Sequence, residues 1–378
     1  MKLSLLALSA LLLAGCAADT GDGDEETGSD EAALGYTDAS TIQLYNANTK
    51  HLSQFKTPHF EGTDFRQLLA YMKQQKSLPD IITLSEVGTV VPGKYTSKSC
   101  QAFLDELDRI VKPAGARTKW SCIVAGGSTK GVDNANGGVA IVHRARFVPA
   151  AAKDPVGLYY WKDGNCTRQT AGSGWTALVQ KFRDGNHTVA VASVHLPTAG
   201  DGTNATGDDC SGKNLDLVKK ALAATNADVK VIAGDMNHGD ATRHEGANGA
   251  LVHDHWETTY SSNNYFQNAQ NASNSSYRDA FFRDCAKGFA ASSTAAYTPA
   301  QTQSISTCLS QEHWSIGTGG KLAPRIDWVL VAGAFSLTDA KTIPYAEANK
   351  AYRTVTGNQE NPATRYSDHR AQALAIKY

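Results

Sequence analysis

The chain has 378 residues, of which 41% are hydrophobic and 19% are charged, and this composition excludes a disordered protein. Its 36 basic and 37 acidic residues give a formal net charge of -1, but seven of the acidic residues lie before Gly35, where Lys2 is the only basic one. Residues 35–378 therefore carry 35 basic and 30 acidic side chains, a net charge of +5. This excess is compatible with a phosphate-bearing or polyanionic substrate without requiring one.

The N-terminal segment has the pattern of an export signal. Lys2 precedes the apolar run 3–15, which is too short to span a bilayer. The end of this run, LAGC at 13–16, resembles the bacterial lipoprotein box, in which the signal is removed before the cysteine and the thiol is lipidated. We expect a signal peptide at 1–15 and a lipidated Cys16 that anchors an exported protein to a membrane, facing the periplasm or the cell surface. An ordinary signal in which Cys16 falls by chance is the alternative.

The next segment, 17–34, is small, polar and acidic, and this composition predicts a disordered tether. With Cys16 and Gly35 it forms the region 16–35 between the signal peptide and the folded body. Residues 36–378 contain neither an internal repeat nor a dividing linker, so we expect one domain there.

The body contains six cysteines besides Cys16 and has no CxxC pair. An even number of cysteines in an exported protein predicts disulfides rather than a zinc or redox motif. By proximity along the chain, the expected pairs are Cys100 with Cys122, Cys166 with Cys210, and Cys285 with Cys308.

In chain order, short β-rich runs alternate with amphipathic segments, which predicts an α/β fold. The first strand is expected at 41–46 (TIQLYN) and the second at 81–86 (IITLSE), with a helix between them that places Phe65, Leu68 and Met72 at helical spacing. The further predicted elements are helices at 103–111 and 215–224, strands at 138–143, 176–182, 189–195, 229–235, 326–332 and 371–376, and long loops at 261–276 and 291–320.

Four polar residues end these predicted strands: Asn46, Glu86, His195 and Asp235. In layered α/β folds, ligands collect at strand ends, because loop freedom lets polar groups converge above a rigid sheet. The pattern therefore predicts that these four side chains belong to one site.

Further motifs extend this series and together resemble a known family. Asn237 stands in GDMN with Asp235, Asp327 stands in RIDWVLVAG, and Asp368 precedes His369 in SDH. The ordered series resembles the endonuclease/exonuclease/phosphatase superfamily, the DNase I-like proteins, over about residues 41–376. Each motif is short, but their order makes coincidence unlikely. The resemblance implies a four-layer α/β sandwich of two packed mixed β-sheets flanked by helices, and a metal-dependent phosphoric ester hydrolase.

The residue chemistry agrees with that implication. Hydrolysis of a phosphodiester needs charge relief on the phosphoryl oxygens and an activated water. Glu86 and Asp368 supply hard carboxylate oxygens and Asn46 an amide oxygen, so the expected ion is Mg²⁺, with Mn²⁺ or Ca²⁺ as alternatives. The resemblance makes Glu86 a principal ligand with Asn46 beside it.

The remaining motif residues are assigned to proton transfer and phosphate contacts. Resemblance implies that Asp327 orients His369, while His195 binds the phosphate or protonates the leaving group. Asp235 and Asn237 are expected to approach the phosphate from another edge. We expect His369 to activate the water, with Asp235 as the alternative.

The substrate is less well defined than the chemistry. Nucleases of this family place a Tyr and an Arg against the DNA backbone. Here no Tyr matches, Asn134 or Asn136 lies in the earlier position, and Arg168 is the counterpart of the Arg. A monomeric nuclease acting on extracellular DNA or RNA is the favoured hypothesis. A sphingomyelinase-like phospholipid phosphodiesterase is the first alternative, because the acidic stretch 208–210 (DDC) follows the His195 strand. A phosphatase for small molecules comes next, and a non-catalytic binding module is least favoured, because no motif residue is missing.

Overall fold

The structure is a computed structural model, and it describes residues 40–50, 63–87, 97–125, 138–162, 165–171, 175–197, 207–237, 244–245, 251–252, 277–279, 283–284, 289–290, 327–358 and 365–378. The expected signal peptide, Cys16, the tether, Asn134, Asn136, the pair Cys285–Cys308 and both long loops lie outside these residues.

The helices and strands, in chain order, are β1 (Thr41–Asn48), α1 (Arg66–Lys73), β2 (Ile81–Ser85), α2 (Ser97–Ile110), β3 (Trp120–Ala125), β4 (Val139–Arg144), β5 (Val148–Pro149), β6 (Asp154–Gly157), β7 (Tyr159–Lys162), β8 (Asn165–Arg168), β9 (Thr176–Asp184), β10 (His187–His195), α3 (Gly207–Ala224), β11 (Val229–Asp235), β12 (His244–Glu245), β13 (Leu251–Val252), β14 (Arg278–Asp279), β15 (Arg283–Asp284), β16 (Phe289–Ala290), β17 (Asp327–Gly333), β18 (Ser336–Thr342), α4 (Tyr345–Thr356) and β19 (Gln372–Lys377). Every strand and helix expected from the sequence has a counterpart among them.

The first sheet has six strands in the order β18-β19-β1-β2-β4-β3. Strands β1 and β2 run parallel, and the remaining pairs are antiparallel, so the sheet is mixed. All five residues of β2 are buried, which fits its apolar sequence IITLS and a strand covered on both faces. The parallel pairing brings the carboxyl ends of β1 and β2 together, with Asn48 opposite Ser85.

The second sheet has seven strands, with the order β14-β17-β11-β10-β9-β5 and β6 also paired to β9. Here β10 and β11 are the parallel pair, and β17 runs antiparallel to β11. In this register His195 lies opposite Asp235, and Asp235 lies opposite Asp327. Three candidate site residues are therefore neighbours across one end of the sheet.

The two sheets pack face to face, and helices cover their outer faces. Leu44 and Ile141 of the first sheet share one buried cluster with Val191 of the second, and Leu215 of α3 belongs to the same cluster. A second cluster joins the outer face of the first sheet to α1, α2 and α4, and it includes Phe103. This arrangement confirms the expected α/β architecture of two packed mixed sheets flanked by helices.

Two disulfides join elements that the strand pairing does not connect. Cys100–Cys122 ties α2 to β3, and Cys166–Cys210 ties β8 to α3. Both pairs match the expected connectivity. None of the described helices is long and apolar enough to cross a membrane.

Several elements were not predicted from the sequence, and α4 is the clearest of them. It starts after the extended Pro344 and ends at Gly357, which adopts a left-handed conformation. Its buried residues Tyr345, Ala348 and Tyr352 fall at helical spacing. The start, the stop and the period of this helix are therefore all present in the sequence.

Candidate active site at the strand ends

The carboxyl ends of the parallel strands from both sheets meet at one place. Strand β1 packs on β11, and β2 packs on β10, so the ends of the two parallel pairs lie over each other. Asn48 ends β1, Glu86 follows β2, His195 ends β10 and Asp235 ends β11. This convergence follows from the topology, because each polar residue lies at the carboxyl end of a parallel strand or directly after it.

Asp327 and His369 form the tightest pair of the cluster. The Nδ1 atom of His369 lies 2.8 Å from Oδ2 of Asp327, and both residues are buried. Gln372 donates from Nε2 to the backbone oxygen of Asp327 at 2.8 Å, which holds the start of β17 against β19. The carboxylate therefore sets the imidazole tautomer, and the Nε2 atom of His369 points to Oδ2 of Asp235 at 3.8 Å.

Charge and burial shift the pKa values of His369 and Asp235. Burial alone would lower the pKa of His369, but the carboxylates of Asp327 and Asp235 outweigh it and raise the pKa well above its usual value. Burial also raises the pKa of Asp235 to about 7, with His369 opposing the shift and Asp327 and Glu86 adding to it. In the metal-free protein, Asp235 and His369 therefore hold protons more tightly than ordinary side chains do.

Asp235 lies at the centre of the cluster and is fixed from several sides. Its Oδ2 atom accepts a hydrogen bond from Nδ2 of Asn48 at 3.0 Å and lies 3.5 Å from Nε2 of His195. Its Oδ1 atom accepts from the backbone N–H of Asn237 at 2.7 Å. Asn237 is left-handed (φ 52°) and donates from Nδ2 to the oxygen of Leu196, so the turn after β11 holds the carboxylate.

Glu86 has a left-handed backbone with φ of 55°, which is unusual for a residue other than glycine. Thr49 stabilises this conformation by donating from Oγ1 to the backbone oxygens of Ser85 and Glu86, each at 3.0 Å. The Oε1 atom of Glu86 accepts from Nδ2 of Asn48 at 3.0 Å and lies 3.9 Å from Nε2 of His195. Strain of this kind is kept where the position of a side chain matters, and it favours a functional role for Glu86.

A divalent cation fits one part of this cluster. Glu86, His195 and Asp235 each offer one ligand atom, and these atoms all lie within 4.8 Å of one another. Two of the three are hard carboxylate oxygens, which suit Mg²⁺ or Mn²⁺. Asp235, Asp327 and His369 form a second such group. In that group Nδ1 of His369 and Oδ2 of Asp327 are already engaged in a hydrogen bond with each other. The Glu86 group is therefore the better fit.

The structure places the Asn46 side chain inside the first sheet. Asn46 was expected beside Glu86, but its Oδ1 accepts from Oγ1 of Thr83 at 2.9 Å and its Nδ2 donates to Oε1 of Gln372 at 3.1 Å. Both amide atoms are thus engaged inside the first sheet. The side chain that reaches Glu86 and Asp235 belongs to Asn48, because β1 continues two residues further than predicted.

Asp368, expected as a metal ligand, lies beside Lys50. Its Oδ2 atom lies 3.0 Å from Nζ of Lys50, and it belongs to neither of the ligand groups found among the described residues. Arg168, expected to contact substrate, is exposed on β8 and donates from Nε to the oxygen of Gly157 at 3.4 Å. That contact is within the β6–β8 region and not with the cluster.

Three residues near the cluster were not predicted from the sequence: Asn48, Lys50 and Trp175. The Trp175 ring packs edge-on against the His195 ring, with centroids 4.9 Å apart. Trp175 directly precedes β9, the antiparallel neighbour of β10. The period of two along a strand was a usable signal for Asn48, because residues 46 and 48 share one face. The sequence contains no comparable local signal for Trp175.

Gly234 is required by the close approach of β10 and β11 beside the cluster. A Cβ atom at this position would lie 1.8 Å from the backbone oxygen of Val194. We expect Gly234→Ala to cost about 1–3 kcal/mol or more of unfolding free energy and to lower turnover, because it separates His195 from Asp235. Urea unfolding and initial rates measure the two effects.

The control for this change is Gly185→Ala in the turn between β9 and β10. A Cβ atom there meets open space, although the backbone is left-handed with φ of 57°. A cost of about 1–2 kcal/mol with unchanged turnover is expected. Equal turnover in the two variants would show that the spacing of β10 and β11 does not govern the site.

Comparison with known proteins gives structural similarity alone. No family model matches the chain, and no curated protein matches it. An endonuclease/exonuclease/phosphatase family protein from Leptotrichia buccalis C-1013-b is similar with a TM-score of 0.48 and 13% identity, covering 89% of this chain and 100% of that one. The endonuclease/exonuclease/phosphatase from Bacteroides vulgatus has a TM-score of 0.48 and 14% identity, covering 89% and 98%. D. rerio TDP2 complexed with single-strand DNA product has a TM-score of 0.47 and 12% identity, covering 90% and 100%. At these values the comparisons assign no activity to this chain.

Proposed function

We propose that this chain is a divalent-metal-dependent phosphodiester hydrolase of the endonuclease/exonuclease/phosphatase superfamily. The observation that carries the proposal is the buried Asp327–His369 pair, whose free imidazole nitrogen faces Asp235 beside the ligand atoms of Glu86 and His195. A proton-transferring imidazole next to hard cation ligands is the combination that metal-assisted phosphoryl transfer uses. The ordered sequence motifs support the same assignment.

Each residue of the cluster has a defined task in this proposal. Glu86, Asp235 and His195 would hold the cation, which supplies positive charge for the phosphoryl oxygens when it is bound. Asp327 keeps the proton on Nδ1 of His369 and stabilises the imidazolium, so that Nε2 exchanges a proton with the attacking water. Asn48 holds the carboxylates of Glu86 and Asp235 in fixed positions through one amide group.

The surroundings of His195 fix the orientation of its imidazole. It is buried beside Trp175, whose ring edge restricts rotation of the imidazole, and its Nε2 atom lies between Glu86 and Asp235. The orientation of the His195 ring is therefore set by its contact with Trp175 as well as by the strand that carries it.

We further propose that the substrate is extracellular DNA or RNA and that the protein is an exported lipoprotein anchored through Cys16. The net charge of +5 over residues 35–378 favours a polyanion. The disulfides Cys100–Cys122 and Cys166–Cys210 suit an oxidising compartment. Cys210 belongs to the acidic stretch that suggested a lipid phosphodiesterase, and its role in this structure is that of a disulfide partner.

The test is parallel hydrolysis of plasmid DNA, RNA and sphingomyelin vesicles by the detergent-solubilised full chain, with Mg²⁺ and with EDTA. We expect cleavage of nucleic acid alone, loss of that cleavage in EDTA, and recovery on adding Mg²⁺ or Mn²⁺, because the cation supplies the charge relief for the reaction. Rates from fluorescent substrates give the magnitude.

The other outcomes identify which part of the proposal fails. Release of choline phosphate from the vesicles would replace the nucleic-acid substrate by a phospholipid. Cleavage that EDTA does not affect would contradict the metal dependence. Mass spectrometry of the mature N-terminus tests the anchor separately, since an unmodified cleavage product is incompatible with lipidation of Cys16.

A further inference from the structure

Lys50 introduces a fixed positive charge at the edge of the candidate site. Its Nζ atom lies 3.0 Å from Oδ2 of Asp368, the residue that precedes His369. The two side chains are only 15% and 18% exposed, so solvent screens this ion pair less than a pair on the open surface. The Lys50 ammonium has no part in the proposed hydrolysis.

The same short segment positions both Lys50 and Asn48. Lys50 is left-handed with φ of 42°, and its backbone N–H donates to Oδ1 of Asn48 at 2.9 Å. Thr49 between them donates from its backbone N–H to the oxygen of Ser85 at 3.0 Å. The direction of the Lys50 side chain is therefore set by the turn that places Asn48 at the cluster.

Asp368 is tied to this segment from the other side. Ser367 donates from Oγ to the backbone oxygen of Asn48 at 2.8 Å and lies 3.3 Å from Oδ1 of Asp368. The other carboxylate oxygen, Oδ2, meets the ammonium of Lys50. Asp368 is thus held near the cluster and paired with a cation that the chain itself supplies.

The distribution of ligand atoms agrees with this pairing. Glu86, His195 and Asp235 converge within 4.8 Å, whereas Asp368 belongs to neither convergent group among the described residues. A carboxylate whose charge is balanced by an adjacent ammonium attracts a divalent ion less, because the ammonium repels that ion at short range. The charge around Asp368 is therefore already compensated without a metal.

We propose that Lys50 acts as a built-in cation that occupies the place of a second divalent ion at Asp368 and confines metal binding to the Glu86–His195–Asp235 group. The inference rests on the proposed function for the first ion, which that group would hold. It makes Lys50 a positioning residue that sets how many divalent ions the site accepts.

The test counts bound Mn²⁺ by electron paramagnetic resonance titration of the full chain. Wild type is expected to bind one ion at the cluster. In Lys50→Met, removal of the repelling charge should tighten binding of an additional ion by about tenfold or more. In Lys50→Met/Asp368→Asn that additional ion should be lost, which assigns it to Asp368.

Lys73→Met is the matched control, because it removes the same charge elsewhere. The Lys73 ammonium donates to the backbone oxygens of Val111 and Lys112, each at 3.1 Å, on the outer side of the first sheet. Its Mn²⁺ stoichiometry should equal that of wild type. If Lys50→Met does not fold, as judged by circular dichroism, Lys50→Gln replaces it, since a neutral amide also removes the charge.

Failure of this inference can be told apart from failure of the proposed function. If wild type binds one ion and neither Lys50→Met nor Lys50→Gln binds an additional ion, the proposed role of Lys50 is wrong. The metal-dependent function would still stand. Two ions in wild type, one of them lost in Asp368→Asn, would also overturn the role of Lys50. No ion in wild type would contradict the metal-dependent function, on which this inference rests.

Discussion

Glu86→Gln is expected to lower metal-dependent hydrolysis by about 10³-fold or more, because charge stabilisation of several kcal/mol depends on the bound cation. Glutamine keeps the shape of the side chain, and its Oε1 can still accept the hydrogen bond that Nδ2 of Asn48 donates at 3.0 Å. The negative charge beside His195 and Asp235 is lost. Initial rates over a series of Mg²⁺ concentrations measure the effect.

Stability measurements separate this loss from a folding defect. In EDTA, Glu86→Gln should melt near the wild-type temperature, because the variant keeps the hydrogen bond and removes one of several buried or half-buried carboxylates that repel one another. The melting temperature of wild type should rise with Mg²⁺, whereas that of the variant should respond much less. A ligand that binds only the folded state must stabilise it, so this shift reports binding without relying on turnover.

Glu347→Gln provides the matched control for the same chemical change. Glu347 is exposed in the first turn of α4, away from the strand ends, and its loss should leave the rate and the Mg²⁺-induced shift unchanged. A folded Glu86→Gln protein with full activity would remove Glu86 from the site. If Glu86→Gln instead recovers full activity at high Mg²⁺, Glu86 contributes to the affinity for the cation and not to the chemical step.

The main strands could be predicted from the sequence, because buried strands consist almost entirely of apolar residues. The run IITLS is buried throughout, and β10 and β11 are nearly so, which makes each of them a continuous apolar segment between polar ends. The half-exposed β3 and the four-residue strands β7 and β8 lack that contrast. The assignment of strands to two sheets depends on long-range pairs such as Thr41 with Lys377, which no local pattern specifies.

The candidate site was predictable to the extent that its residues end apolar strands. Glu86, His195 and Asp235 converge, because each directly follows or closes a central strand. Asn46 and Asn48 lie on the same face of β1, so only the length of the strand decides which of them reaches the cluster. That length is determined by pairing with β2, where Asn48 lies opposite Ser85.

The pairing of Asp368 with Lys50 was beyond local reasoning for a different reason. It depends on the left-handed conformation of Lys50 after β1 and on the bond from Ser367 to the oxygen of Asn48. These contacts join residues from opposite ends of the described chain. A carboxylate in a motif such as SDH therefore cannot be assigned as a metal ligand before its cationic neighbours are known.

His369→Ala is expected to lower the rate of hydrolysis by about 10²–10⁴-fold, the usual contribution of a positioned acid–base group. The variant removes the Nε2 atom that faces Asp235 and leaves Glu86 and His195 in place. Mn²⁺ binding should therefore persist while turnover falls, which distinguishes loss of proton transfer from loss of the cation. Rates at saturating Mg²⁺ and an Mn²⁺ titration of the same preparation give the two quantities.

The control is His187→Ala at the other end of the strand that carries His195. The His187 ring packs on Tyr378 with centroids 5.0 Å apart, so its removal tests a histidine of β10 outside the cluster. Its rate of hydrolysis should match that of wild type.

The rate of Asp327→Asn should fall between the rates of His187→Ala and His369→Ala, because an amide still positions the ring but no longer stabilises its positive charge. A folded His369→Ala protein with a wild-type rate would instead point to Asp235 as the group that activates the water.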